Sequence, residues 1–148
     1  MNALAEPLIL WHDDYGLGVE EIDEQHRTLF SLMNEAWEAV NLEDDLEGAV
    51  AGVNALEGYA RSHFADEEAF MLDTGYPFLT SHKKAHDAFL VRLAAERATL
   101  IEGGWISLSL MQFLKDWLIS HILMADREYA AHAGYVPLSQ RIGEELAA

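Results

Sequence analysis

The sequence predicts an all-α protein, an antiparallel up-down-up-down four-helix bundle with an extended N-terminal arm and a short C-terminal helix. Two observations lead to this fold class. Four segments carry apolar residues three or four positions apart, which is the spacing of one helical face. The connections between these segments are short, and short connections favour antiparallel neighbours. With 148 residues, of which 51% are hydrophobic, we expect a single domain over residues 1–148.

The N-terminal arm is expected over residues 1–18, which contain Pro7 and two glycines and lack helical periodicity. We expect this extended segment to pack on the core through Leu8, Leu10 and Trp11. The bundle is expected over residues 19–131 and a C-terminal segment over residues 132–148.

The first helix is expected from about Val19 to Asn41. The second begins after Asp44 and Asp45 and stops at the run Asp73-Thr74-Gly75, where glycine favours a helix end. Both apolar faces include residues that can bind metals. The predicted faces consist of Ile22, His26, Leu29, Met33, Trp37 and Val40 in the first helix, and of Leu46, Val50, Val53, Leu56, Ala60, His63, Glu67 and Phe70 in the second.

The third helix is expected to carry Pro77 in its first turn and to be interrupted at Gly103-Gly104. The fourth is expected from near Ser107 to about Tyr129, and residues 138–146 could form the short C-terminal helix. The predicted inward faces consist of Leu79, His82, His86, Phe89, Leu93 and Leu100 in the third helix, and of Leu110, Leu114, Trp117, Leu118, His121, Ile122 and Ala125 in the fourth.

The charge and composition exclude several classes of function. Twenty-six acidic and nine basic residues give a net charge of -17, which repels nucleic-acid phosphates and anionic membranes. The sequence has no cysteine, so any bound metal must be held by nitrogen and oxygen ligands. The N-terminal residues do not resemble a targeting signal, and no apolar stretch is long enough to span a bilayer. We therefore expect a cytoplasmic protein.

The histidines form the unusual feature of this sequence. A lone histidine on an apolar face is more often a hydrogen-bonded core residue than a ligand. Here five of the seven histidines lie on predicted core faces together with Glu67, and Asp126 follows the last of these faces directly. Burying so many polar groups is costly unless a cation binds them. We therefore predict a metal site. His12 and His132 lie outside these faces and are expected at the surface.

The spacing of these residues argues against two familiar metal sites. A zinc metalloprotease needs H-E-x-x-H, but the run from His82 to His86 reads H-K-K-A-H, with Lys83 where the catalytic glutamate would stand. Ferritin-like di-iron proteins use Glu-x-x-His, and no histidine here has glutamate three residues before it. A Ser-His-Asp triad is not excluded by composition, although no G-x-S-x-G motif is present.

The sequence resembles the bacterial hemerythrins and their hemerythrin and myohemerythrin relatives. Myohemerythrin is itself a standard example of the up-down-up-down bundle. The resemblance extends over roughly residues 11 to 130. The matching features, in chain order, are Trp11, I-D-E-Q-H ending at His26, H-F-A-D-E from His63 to Glu67, Gly75-Tyr76-Pro77, H-K-K-A-H from His82 to His86, and W-L-I-S-H-I-L-M-A-D from Trp117 to Asp126.

The resemblance implies a non-haem di-iron site in which two iron ions share an oxo or hydroxo bridge. Three histidines would bind one iron and two would bind the other, with two carboxylates bridging them. Dioxygen would bind reversibly at the iron with two histidines, because that iron keeps a coordination position open. The implied ligands are His82, His86 and His121 at one iron, His26 and His63 at the other, and Glu67 and Asp126 as bridges.

A dry apolar oxygen pocket is expected beside the site. Leu118 matches a leucine that lines the dioxygen pocket of the family, and Trp117 matches an aromatic residue beside the metal site. Phe30, Phe64 and Ile122 are expected to complete the pocket and to restrict proton entry.

The expected function is reversible dioxygen binding for oxygen storage, delivery or sensing, without catalysis. Dioxygen is the expected partner, and a partner protein, whether an oxygen-consuming enzyme or a signalling protein, is not identified by the sequence. Two alternatives remain open: a di-iron enzyme that reduces peroxide or oxidises a small substrate, and an iron-buffering protein. Iron itself follows only from the resemblance, since nitrogen and oxygen ligands also suit zinc, copper and manganese.

The spacing of His121 and Asp126 predicts an irregular turn. Five residues on a regular α-helix separate two side chains by about 140°, yet both should face one metal pair. We therefore predict a π-bulge or a similarly widened turn between them.

Overall fold

A computed structural model describes residues 6–41, 45–103 and 108–140, and within these ranges the secondary structure is helical. The predicted all-α four-helix bundle is confirmed. A 3-10 turn precedes four long helices, and the last helix is interrupted by a π-helical turn. In chain order the elements are the 3-10 turn Asp13–Tyr15, α1 Glu20–Asn41, α2 Leu46–Asp73, α3 Leu79–Gly103, α4 Leu108–His121, the π-helical turn Ile122–Asp126 and α5 Arg127–His132.

The four long helices pack in a closed ring. Helix α1 contacts α2 and α4, and α3 contacts the same two helices. The core between them includes Met33 from α1, Leu56 from α2, Leu93 from α3 and Leu114 from α4, each at most 1% exposed. Each helix thus contributes the apolar face that its sequence period predicts, and the histidines on those faces point into the same interior.

The connection between α2 and α3 differs slightly from the prediction. Gly75 has a positive φ of 68°, and the N–H of Tyr76 donates to the Met71 carbonyl at 2.9 Å, which ends α2 as glycine commonly does. Helix α3 then begins at Leu79, so Pro77 precedes the helix instead of lying in its first turn. The expected ends of α1 and α2 agree with the structure to within one residue.

The N-terminal arm packs on the bundle through a different residue from the one predicted. Ile9 is buried, whereas Leu10 is 70% exposed, so the prediction for Leu10 was wrong. The Asn34 side chain fixes this register, because it accepts from the Ile9 N–H at 3.0 Å and donates to the Ile9 carbonyl at 2.8 Å. Leu8 and Trp11 do pack against the core, half-buried.

The fourth helix contains the predicted irregular turn. Residues Ile122–Asp126 are π-helical, which confirms the widened turn between His121 and Asp126. The helix continues to His132, three residues beyond its expected end near Tyr129. The turn lies directly after His121 and ends at Asp126, the two predicted ligands that it separates.

The C-terminal segment returns to the arm. Leu138 donates its N–H to the Gly16 carbonyl at 3.1 Å. A Cβ on Gly16 would lie 2.3 Å from the Leu138 side chain, so a larger residue at position 16 would displace Leu138. Residues 138–140 are helical. The rest of the expected C-terminal helix, the expected start near Ser107 and the core side chains of Val40 and Leu100 fall outside the described residues. Within the described ranges, the helices are too short or too polar to cross a membrane.

Candidate metal centre

The four helices bring the seven predicted ligand residues together in the bundle interior. Helix α1 supplies one histidine, α2 a histidine and a glutamate, α3 two histidines, α4 one histidine and the π-helical turn an aspartate. All are at most 8% exposed. They are His26, His63, Glu67, His82, His86, His121 and Asp126.

Three histidine side chains converge at one end of this cluster. The His121 Nε2 atom lies 3.0 Å from Nε2 of His82 and 3.2 Å from Nε2 of His86. An Asp126 oxygen lies 3.1 Å from both His82 and His121, and a Glu67 oxygen lies 3.1 Å from His86. These five residues form the five-residue group, whose ligand atoms all lie within 4.8 Å of one another.

A second group consists of His26, His63 and Glu67, and we call it the three-residue group. The His63 Nε2 atom lies 3.4 Å from a Glu67 oxygen, and the His26 Nε2 atom lies 3.5 Å from the other. The second oxygen of Asp126 lies 3.2 Å from His26. Both carboxylates therefore lie between the two sets of histidines.

These distances fit metal ions. Two ligand atoms at right angles, each roughly 2.1 Å from one ion, are about 3.0 Å apart, close to the separations in the five-residue group. Several buried atoms also have no hydrogen bond to any described residue: both ring nitrogens of His26, Oε1 of Glu67 and both carboxylate oxygens of Asp126. Buried polar atoms are rarely left unpaired, and a cation would satisfy the inward-facing ones together.

The charges in this interior depend on each other. Burial lowers the pKa of His26, but Asp126 and Glu67 outweigh it and raise that pKa to about 9. Burial dominates at His63 and lowers its pKa to about 4. Burial raises the pKa values of Glu67 and Asp126, yet the surrounding imidazoles bring both below their ordinary values. The pair of carboxylates thus favours positive charge between them.

Three further polar residues support the ligands from outside. Nδ1 of His63 lies 2.7 Å from Oε1 of Gln25, and Nδ1 of His86 lies 2.9 Å from Oε2 of Glu68. The Tyr129 hydroxyl donates to Oε2 of Glu67 at 2.7 Å. Sequence reasoning missed these roles. Each supporting residue lies within three positions of a ligand in the chain, but only the packing of the helices shows which ligand it contacts.

Aromatic rings cover the five-residue group. Phe64 stacks on His86 with ring centroids 3.8 Å apart, and Trp117 stacks on His121 at 4.3 Å. These two rings and Leu118 help line an apolar cavity of about 10 Å³ formed by all four helices. Phe30 packs instead against Trp11 and Tyr15. Ile122 is fully buried, and neither it nor Phe30 lines this cavity.

The remaining two histidines lie away from the cluster. His12 is largely exposed and lies beside Asp14. His132 donates from Nε2 to the Thr74 carbonyl at 3.1 Å, which links the end of the last helix to the turn after α2. Both lie at the surface, as predicted.

Comparison with known proteins identifies the family. The family described as hemerythrin HHE cation binding domain matches residues 17–133. A bacteriohemerythrin of Stenotrophomonas maltophilia is 36% identical over 125 residues, covering 83% of this chain and 80% of the relative. A bacteriohemerythrin of Pseudomonas aeruginosa is 34% identical, covering 93% of this chain and 86% of the relative.

The structural comparison agrees. The crystal structure of a wild-type hemerythrin superposes with a TM-score of 0.76 at 26% identity, covering 85% of this chain and 98% of that one. A hemerythrin mutant structure superposes with a TM-score of 0.78 at 25% identity, covering 86% of this chain and 98% of that chain. Fold, ligand cluster and sequence thus agree, and the chain belongs to the hemerythrin HHE cation binding domain family.

Proposed function

We propose that this protein binds dioxygen reversibly at a centre of two iron ions, for oxygen storage, delivery or sensing. The observation that carries the proposal is the convergence of five imidazoles and two carboxylates in a bundle interior of the hemerythrin family. His82, His86 and His121 would hold one ion, His26 and His63 the other, with Glu67 and Asp126 bridging. When bound, the iron pair would supply the electrons that reversible dioxygen binding needs.

The surrounding residues set the conditions for reversible binding. Phe64 and Trp117 lie flat on His86 and His121 and hold these rings in place. Tyr129 keeps its proton on the hydroxyl, because burial and the nearby Glu67 raise its pKa, and it fixes one Glu67 oxygen. Apolar side chains around the cavity exclude water, which limits proton leakage from the site.

The cavity behind the stacked rings is small and apolar. It measures about 10 Å³, which is about the space that one water molecule needs. Its lining includes none of the seven proposed ligands, so the cavity contributes to the apolar surroundings of the centre.

The visible spectrum tests the proposal directly. The protein is loaded with ferrous iron, reduced without oxygen, exposed to air and then purged with argon. A visible band that appears in air and disappears on purging supports reversible binding. Immediate and permanent conversion to the oxidised spectrum would contradict it and favour the enzyme or iron-buffering alternatives.

Metal analysis tests the ligand assignment. About two irons per chain are expected, and Glu67→Ala should lose metal, since Glu67 is the one residue common to both groups. Glu47→Ala, at an exposed glutamate in the first turn of the same helix, is the matched control and should retain both. Full iron occupancy in Glu67→Ala would overturn the bridging role.

A further inference from the structure

Two histidines of the metal centre have different partners on their outer ring nitrogens. His86, in the five-residue group, contacts the Glu68 carboxylate at 2.9 Å, and His63, in the three-residue group, contacts the Gln25 amide oxygen at 2.7 Å. The acceptor is therefore formally charged in one case and neutral in the other. The difference matters because the partner of the outer N–H controls how strongly the inner nitrogen donates to a metal.

The proton positions follow from the acceptors. A carboxylate oxygen can only accept, so Nδ1 of His86 must donate to Glu68, which leaves its Nε2 lone pair facing Glu67 at 3.1 Å. Glu68 is 23% exposed along its side chain, so this contact is partly shielded from water.

The orientation of Gln25 is fixed by a second residue. The Gln25 Nε2 group donates to Asp66 at 2.9 Å, which turns the amide oxygen toward Nδ1 of His63. His63 must then donate as well, and its Nε2 lone pair faces Glu67 at 3.4 Å. Asp66 is thus hydrogen-bonded to Gln25 and is connected to His63 through the Gln25 amide.

We propose that Glu68 and the Gln25–Asp66 pair are positioning residues that make the two metal positions unequal. The carboxylate on His86 strengthens the five-residue group, so this group takes up a divalent cation first. The three-residue group fills second and more weakly, because it has fewer ligands and an amide behind His63. The inference rests on the metal ligands of the proposed function but not on dioxygen binding.

Anaerobic titration of the metal-free protein with ferrous ion tests the order of filling. Two separable steps are expected in the wild-type chain. Glu68→Gln keeps a hydrogen-bond acceptor but removes the charge, and it should weaken the tighter step about tenfold. Asp87→Asn removes the same charge from an exposed neighbour of His86 and should change neither step appreciably.

The double variant Gln25→Glu with Asp66→Asn is the decisive test, because it moves the carboxylate onto His63 without changing the net charge. It should tighten the weaker step about tenfold and leave the tighter step unchanged. A gain in affinity is not expected from structural damage. Asp66→Asn alone keeps the neutral amide on His63, so it is the matched control and should leave the weaker step unchanged.

A reductive titration of the iron-loaded variants gives an independent readout. Glu68→Gln should raise the lower of the two midpoint potentials, and the double variant should lower the higher one, because a stronger donor stabilises the more positive ion. The proposal is overturned if Glu68→Gln behaves like Asp87→Asn, if the double variant gains no affinity, or if wild type fills in one step. Since the ferrous titration contains no oxygen, its outcome is separate from failure of reversible dioxygen binding.

Discussion

At the scale of single residues, Tyr129 shows how one hydroxyl supports the candidate metal centre. The side chain is fully buried, and its hydroxyl donates to Oε2 of Glu67 at 2.7 Å. The other oxygen of Glu67 faces His63 and His86. Tyr129 therefore donates its hydrogen bond to Oε2, the Glu67 oxygen that faces fewer histidines.

Removing this hydroxyl should reduce stability. We expect Tyr129→Phe to lower the free energy of unfolding by about 1–3 kcal/mol, because a buried carboxylate oxygen loses its donor. Urea denaturation measures the change. The control is Tyr76→Phe, whose hydroxyl donates over 3.3 Å to the exposed Glu128 and should cost less than about 0.5 kcal/mol. Equal losses in the two variants would contradict the role of Tyr129.

At the scale of single elements, the π-helical turn Ile122–Asp126 sets the direction of Asp126, one of the proposed ligands. Four residues on a regular α-helix would separate two side chains by about 40°, whereas five would separate them by about 140°. In the widened turn, two side chains five residues apart face the same side, as two side chains four residues apart do on a regular α-helix. It therefore acts as a one-residue insertion that leaves both His121 and Asp126 facing the site.

Changing the length of this turn should have opposite outcomes in the two directions. Deletion of Met124, which is 70% exposed, leaves a four-residue step on a regular helix, and we expect metal binding to survive. Insertion of one alanine after Met124 creates a six-residue step of about 240° and should abolish it. Metal content and circular dichroism are the measurements. If the deletion variant folds but binds no metal, the explanation that the turn only compensates for the five-residue spacing is wrong.

Gly58 lies inside α2 and Gly75 lies just after its end. Substituting each by alanine tests the effect of backbone conformation on stability. A Cβ on Gly75 or on Gly58 would meet no atom within 4 Å, but Gly75 has a φ of 68°. Gly75→Ala should therefore cost about 1–2 kcal/mol, whereas Gly58→Ala, inside the helix, should stabilise by about 0.5–1 kcal/mol. Urea denaturation measures both. The same sign for both substitutions would refute this explanation.

At the scale of the whole molecule, the metal-free protein should be most stable near pH 6.5. The pKa of His26 is raised to about 9 when folded, so its contribution is complete below its unfolded value of about 6.5 and is lost as pH rises through 9. The pKa of His63 is lowered to about 4, so stability also falls as pH drops from 6.5 toward 4.

Thermal unfolding of chelator-treated protein at several pH values measures this profile. The lowered pKa values of Glu67 and Asp126 act in the same direction as His63, since stability from a paired carboxylate is lost in acid. His26→Gln should remove most of the loss on the alkaline side. A metal-free protein that is most stable at pH 9 would contradict the profile.

Much of the fold and the ligand cluster could be predicted from the sequence, because both depend on helical periodicity. His26, His63, His82 and His121 lie on apolar faces, and a bundle must turn those faces inward. The prediction that Leu10 packs on the core was wrong, because the irregular arm has no helical periodicity from which the buried side can be inferred. The contacts of Gln25 with His63 and of Asp66 with Gln25 depend on how α1 meets α2, which no local pattern encodes.

Because the ring of Trp117 stacks on His121, this tryptophan can serve as an intrinsic fluorescent probe of metal binding. An indole this close to a proposed iron ligand should lose excitation energy to a bound metal, so we expect its fluorescence to decrease when iron is added. Trp11 lies instead in the cluster formed with Tyr15 and Phe30. The chain has four tryptophans, so the part of the emission change that Trp117→Phe removes reports the filling of this end of the centre, without any added label.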